Sequence, residues 1–161
     1  MEKTRIRAVE GDLLDQPVEV IVNAWNRNVI PWWLLLPQGV SGAIKRRGGL
    51  EPFRELARHG PIPLGHAVHT TAGRLPFRGI IHVAGINLWW FATEYSIRAS
   101  TRSALELASE KGYRAIAFPL VGAGTGGASR QKTRALMCAE AEASDFPGEV
   151  TIVTYRSPQK P

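Results

Sequence analysis

Two stretches of this sequence place glycines directly behind an apolar, β-branched run. The first is Val20-Ile21-Val22-Asn23-Ala24-Trp25-Asn26, followed after a short apolar loop by Gln38-Gly39-Val40-Ser41-Gly42-Ala43-Ile44. The second is Ala115-Ile116-Ala117-Phe118-Pro119-Leu120-Val121, followed by Gly122-Ala123-Gly124-Thr125-Gly126-Gly127. Glycine lets a backbone come close to a ligand, and the first amides of a helix have no acceptor within it. A strand that breaks into glycines and then enters a helix is therefore a phosphate cradle. Two such cradles in one small domain suit a ligand with a diphosphate at its centre. Asn23 and Asn26 add amides that can bond to hydroxyls, or serve the turn itself.

The elements that would position these residues alternate along the chain. Ile6 to Val9 reads as a strand ending at Gly11-Asp12, and Val18 to Val22 as a buried strand. A helix follows over Ser41 to Arg47, stopped by Gly48-Gly49, and a second runs from Pro52 to His59. His66 to Thr71 and Gly79 to Ala84 read as strands. Thr93 to Lys111 has helical periodicity, with Ile97, Ala104, Leu105, Leu107 and Ala108 inward and Gly112 as its stop. Ala115 to Leu120 is a strand, Ser129 caps a helix through Ala143, and Val150 to Thr154 is the last strand. This order makes an α/β fold with a mixed, mostly parallel sheet and helices on both faces. Ligands of such sheets sit beyond the carboxyl ends of the strands, where both glycine segments lie. Nothing matches a Gly-x-Gly-x-x-Gly fingerprint with its following acidic residue, nor a P-loop lysine.

The 161 residues make one domain, residues 1–161, with 44% hydrophobic composition. No apolar run approaches the roughly eighteen residues needed to span a bilayer, and the charged N-terminus does not read as a signal peptide. Cys138 is the only cysteine, expected as a small buried residue in a helix, which fits a cytoplasmic location. The net charge of +6 suggests an anionic partner. Nucleic acid is an alternative, but the basic residues are scattered and do not alternate with aromatics. His66 and His69 are read on one face of a short strand and His82 as a satisfied core residue. No cysteine or acidic partner gives them metal-ligand spacing, so no metal and no cofactor are expected.

In their order these pieces resemble the macro domain family of ADP-ribose-binding modules, in particular bacterial stand-alone macro domain proteins. The resemblance rests on Gly11-Asp12-Leu13, Val20 to Asn26, Gly39 to Ile44, Ile80-Ile81-His82-Val83-Ala84, Ala117 to Val121 and Gly122 to Gly127, and covers nearly the whole chain. It implies a three-layer α/β/α fold. It also implies that Asp12 accepts a bond from the adenine amine with the Leu13 backbone beside it, or else caps the next turn. Asn23 and Asn26 match the pair closing the first loop, with Asn26 at the distal ribose. Gly39, Val40 and Ser41 match the first phosphate-contacting segment, and Gly122, Ala123, Gly124, Thr125 and Gly126 the second.

The sequence departs from the family where chemistry is at stake. Relatives that remove ADP-ribose from acidic side chains carry an aspartate and, four positions on, a histidine; Ser41 and Lys45 stand there. Gly126 replaces an aromatic that often packs on the distal ribose. Asn26 and Ser41 are the remaining candidate catalytic residues. Trp32 and Trp33 are candidates for a lid over that ribose, or for a subunit contact. The implied function is binding of ADP-ribose or an ADP-ribosylated protein, with hydrolysis of the ADP-ribose linkage. The alternative is a reader that binds without turnover.

Overall fold

The computed structural model describes residues 3–31, 33, 39–87, 89, 91–122 and 129–156. Six strands form one sheet: β1 (Arg5–Gly11), β2 (Val20–Trp25), β3 (Ala67–Thr70), β4 (Gly79–Ala84), β5 (Ala115–Pro119) and β6 (Glu149–Tyr155), in the order β1-β6-β5-β2-β4-β3. Every neighbouring pair is parallel except β3 with β4. The helices are α1 (Gly39–Gly48), α2 (Glu51–Arg58), α3 (Glu94–Glu110) and α4 (Arg130–Ala143).

The two faces separate by the period of two in the strands. Val20, Val22, Ile81, Val83, Ile116 and Phe118 belong to one apolar cluster, with Ile97, Ala104 and Leu105 of α3 and Leu136 and Met137 of α4. The intervening Ile21, Trp25, Ile80, Ala84 and Ala117 turn the other way, toward Ile44 of α1 and Phe53 and Leu56 of α2. Helices thus cover both faces. Because the central strands β2 and β4 are buried on both faces, they read as near-continuous apolar runs. A capping box at Thr93 and Ser96 starts α3, and the Ser129 hydroxyl caps α4.

Expected and observed elements agree in type and order, with three local differences. Leu13–Asp15 forms a short 3₁₀ turn. His66 precedes β3 and His69 lies within it, and side chains three residues apart fall on opposite sides of a period of two, so the two do not share a face. The His69 ring stacks on Tyr113 and its Nε2 lies 2.8 Å from the phenol oxygen. Cys138 is half-buried against the α3–α4 cluster rather than fully enclosed.

Candidate functional site

A cleft of about 720 Å³ opens beyond the carboxyl ends of the five parallel strands, within the usual range for small-molecule sites. Its walls come from each strand end in turn: Asp12 and Leu13 after β1, Trp25 of β2, Gly85 after β4, Pro119 and Gly122 at the end of β5, and Tyr155 of β6. The first turn of α1 (Gly39, Val40 and Ser41) and the first residue of α4, Arg130, complete it. The topology explains this convergence. β5 lies between β2 and β6, so successive crossovers leave the sheet on both sides of the cleft.

Gly39 enters α1 at φ +56, and a side chain added there would meet open space. The amides of Gly39, Val40 and Ser41 belong to a first helical turn, whose donors have no acceptor within the helix. Gly122 leaves β5 at φ +77, and a Cβ there would collide with that of Ala92, so only glycine fits. Ala123, Gly124, Thr125 and Gly126 lie outside the described residues, as does Trp32. Arg46, Arg47 and Arg130 all line the cleft. Side chains that look like a scattered basic surface in the sequence therefore give its wall a positive potential.

Asp12 has two bonds of its own. Oδ1 accepts from the Leu14 amide at 2.9 Å and caps the 3₁₀ turn. Oδ2 faces Arg47 at 3.7 Å, and Arg47 also reaches Asp15 at 3.0 Å. The cap considered for Asp12 is thus observed, and the same residue lines the cleft. Tyr155, whose ring is exposed at the end of β6, also lines this part of the cleft. Nothing in the sequence singled it out: an aromatic at a strand end resembles ordinary strand composition.

Asn23 and Asn26 are both buried, and neither is among the residues lining the cleft. Asn26 Oδ1 accepts from the Asn28 amide at 2.7 Å, a turn in which Asn28 takes φ +58. The Asn26 oxygen keeps one further lone pair, and its amide nitrogen is a donor it can offer a ligand. Asn23 accepts from the Ser41 hydroxyl at 2.9 Å and lies 3.0 Å from His82 Nδ1. Lys45 lies with Nζ 4.9 Å from the centroid of the Phe53 ring and 5.7 Å from that of Trp25, a cation over aromatic faces. Burial lowers its pKa. Trp33 is 67% exposed and Trp89 79%; neither is among the residues lining the cleft. Among the described residues no group of three or more His, Cys, Asp or Glu is placed to hold a metal ion. No described helix is long and apolar enough to cross a membrane.

Comparison with known proteins fits this geometry. The family model for the macro domain matches residues 22–137. The chain therefore belongs to the macro domain family. It is 46% identical over 126 residues to a macro domain-containing protein of Streptomyces griseus, covering 74% of this chain and 68% of that one. It is 36% identical over 167 residues to the O-acetyl-ADP-ribose deacetylase of Escherichia fergusonii, covering 95% and 89%. Among solved structures, it matches the Oceanobacillus iheyensis macrodomain with ADP at a TM-score of 0.75 and 28% identity, covering 91% and 81%. The Trypanosoma brucei macrodomain in complex with ADP-ribose matches at 0.79 and 26%, covering 94% of this chain and 63% of that one.

Proposed function

We propose that the cleft binds ADP-ribose and that the chain hydrolyses ADP-ribose linkages, either a mono-ADP-ribosyl group on an acidic side chain or a related ADP-ribose ester. The observation that carries this reading is the convergence on one cleft of Asp12, the open first turn of α1 and the Gly122 turn. Asp12, the Leu13 backbone and the Tyr155 ring suit an adenine: a carboxylate oxygen for the exocyclic amine and an aromatic face for the base. The amides of Gly39, Val40 and Ser41 suit one side of the diphosphate, with the Gly122 turn on the other and Arg46, Arg47 and Arg130 supplying charge. Asn26 and Ser41 suit the distal ribose. Macrodomains solved with ADP and ADP-ribose, and a relative named for deacetylating O-acetyl-ADP-ribose, support the same assignment. The basic side chains of the cleft line a concavity sized for a small molecule, which favours this reading over nucleic acid.

Hydrolysis requires a water at the scissile carbon. Ser41 is too weak a base to take its proton at neutral pH. The water is held by Asn26, the loop backbone and the ligand's own phosphate, and positioning supplies the rate. Ser41 and Lys45, where relatives place an aspartate and a histidine, favour the second reading: a reader that binds without turnover. The test is release of ADP-ribose from a protein modified on glutamate or aspartate, run beside deacetylation of O-acetyl-ADP-ribose. Product in either assay supports the hydrolase. Tight ADP-ribose binding with no product in both leaves the reader.

A further inference from the structure

A buried row of polar groups crosses the sheet and ends at the cleft on Ser41. Ser41 Oγ donates to Asn23 Oδ1 at 2.9 Å. Asn23 Nδ2 lies 3.0 Å from His82 Nδ1, and His82 Nε2 lies 2.8 Å from Thr70 Oγ1. Thr70 Oγ1 donates to the Thr71 carbonyl at 3.0 Å. Asn23, Thr70 and His82 are fully buried. The sheet register sets up the row: Asn23 of β2 stands opposite His82 of β4, and Thr70 of β3 is diagonal to it across the antiparallel pair. Asn23 and His82 share the face of Ile21 and Ile80, so they point toward α1, which carries Ser41.

The direction of the row follows from proton counting. A backbone carbonyl can only accept, so it takes the Thr70 proton, and the Thr70 oxygen must accept from His82 Nε2–H. A neutral imidazole has one N–H. Nδ1 is then bare and accepts from the Asn23 amide. Asn23 turns its carbonyl oxygen to Ser41, and the only hydroxyl proton of Ser41 goes there. We infer that Thr70 and His82 are positioning residues which, through Asn23, fix Ser41 as a hydrogen-bond acceptor toward the cleft. A second proton on the ring would break the order. Burial keeps it off, holding the His82 pKa down at about 3, with His69 and His59 acting in the same direction.

The consequence lies in what Ser41 can receive. A water or ribose hydroxyl facing it must direct a hydrogen at Ser41, which turns that oxygen's lone pairs away from the serine. For a water this orients the nucleophile without removing its proton. A ligand group that can only accept gains nothing at this point. The catalytic half of the inference rests on the hydrolase reading above; the proton order does not.

Thr70→Val keeps the shape and removes the acceptor. His82 can then carry its proton on Nδ1, Asn23 can flip, and Ser41 becomes a donor. Thr70→Ser restores the acceptor. Ring ¹⁵N spectra of the labelled protein report which His82 nitrogen is protonated. The expected result is Nε2–H in wild type and Thr70→Ser, and loss of that order in Thr70→Val. With it, kcat falls about tenfold, the effect of one misdirected neutral hydrogen bond, while KM moves less. Adding Thr70→Val to Ser41→Ala should cause no further fall, because the effect passes through Ser41. A proton on Nδ1 in the wild type overturns the inference whatever the activity. So does a fall in kcat as large in the Ser41→Ala background as in wild type. If the wild type releases no product, the hydrolase reading fails, and the same cycle run on the ADP-ribose Kd decides this inference by the same two criteria.

Discussion

Asp12 allows the ligand assignment to be tested separately from the fold, because its two carboxylate oxygens have different work. Asp12→Asn keeps an oxygen for the Leu14 amide, bonded at 2.9 Å, and replaces the other with an NH₂ group. The ion pair with Arg47 is lost, but it is 3.7 Å long with side chains 45% and 38% exposed. Solvent screens such a pair, so the stability cost is below about 1 kcal/mol, a shift in Tm of less than roughly 4 °C for a chain of this size. Binding should suffer more. The adenine amine would face a donor where it had a charged acceptor, a loss of about 1.5–3 kcal/mol, or roughly 12- to 150-fold in Kd. Asp12→Ala should lose the same binding energy and a further ~1 kcal/mol of stability with the cap. Calorimetry with ADP-ribose, beside thermal melts of the free proteins, measures both quantities. Asp12→Asn binding within about twofold of wild type would refute the adenine assignment and leave Asp12 as a cap. Weak binding in Asp12→Ala alone would trace the loss to a distorted turn.

Three further outcomes are expected. Gly122→Ala should destabilise by roughly 2–5 kcal/mol, combining a left-handed backbone with a collision against Ala92; thermal melts should show partial recovery on adding Ala92→Gly, and no recovery would mean the collision is not the cause. Asn26→Ala should lower turnover about a hundredfold and binding less, while Ser41→Ala lowers turnover only modestly, in the ADP-ribose release assay; the opposite ranking would reverse the roles given to the two residues. His82 is buried and neutral, with its pKa pushed down from 6.5 to about 3. Its contribution is therefore complete above 6.5 and is lost as pH falls toward 3, a loss of about 3 kcal/mol by about pH 4.5. Denaturant unfolding across that range should show this slope, and His82→Gln should flatten it.

The order of elements was legible because each carried its own local signal. Val20 to Val22 and Gly79 to Ala84 are apolar on both faces because helices cover both, and Thr93 and Ser129 announce helix starts. Gly39 and Gly122 were legible for a similar reason, since a backbone at positive φ favours that residue. Other parts depend on tertiary placement that no local pattern encodes. Asn23 looks like a turn residue until β4 sets His82 beside it. Arg46, Arg47 and Arg130 look like solvated charge until the fold gathers them along one cleft. Tyr155 lines the cleft only because β6 ends beside Asp12, and the Asn26 oxygen is engaged by a turn two residues on.

The place of β1 in the sheet bears on how the protein is made. Among the described residues its only strand neighbour is β6, the last of the six strands, and Thr4 just before it donates to the carbonyl of Phe146, 142 residues later. At ribosomal rates of about 5–20 residues per second, that partner emerges roughly 7 to 30 s after the strand. During this interval the β1 edge is unpaired, and the arginines at positions 5 and 7 put charge along it, which disfavours pairing with another nascent chain. Asp12 and Tyr155 meet only once this last strand docks. Their end of the cleft is therefore a late product of synthesis, and a truncated chain lacking β6 should not assemble it.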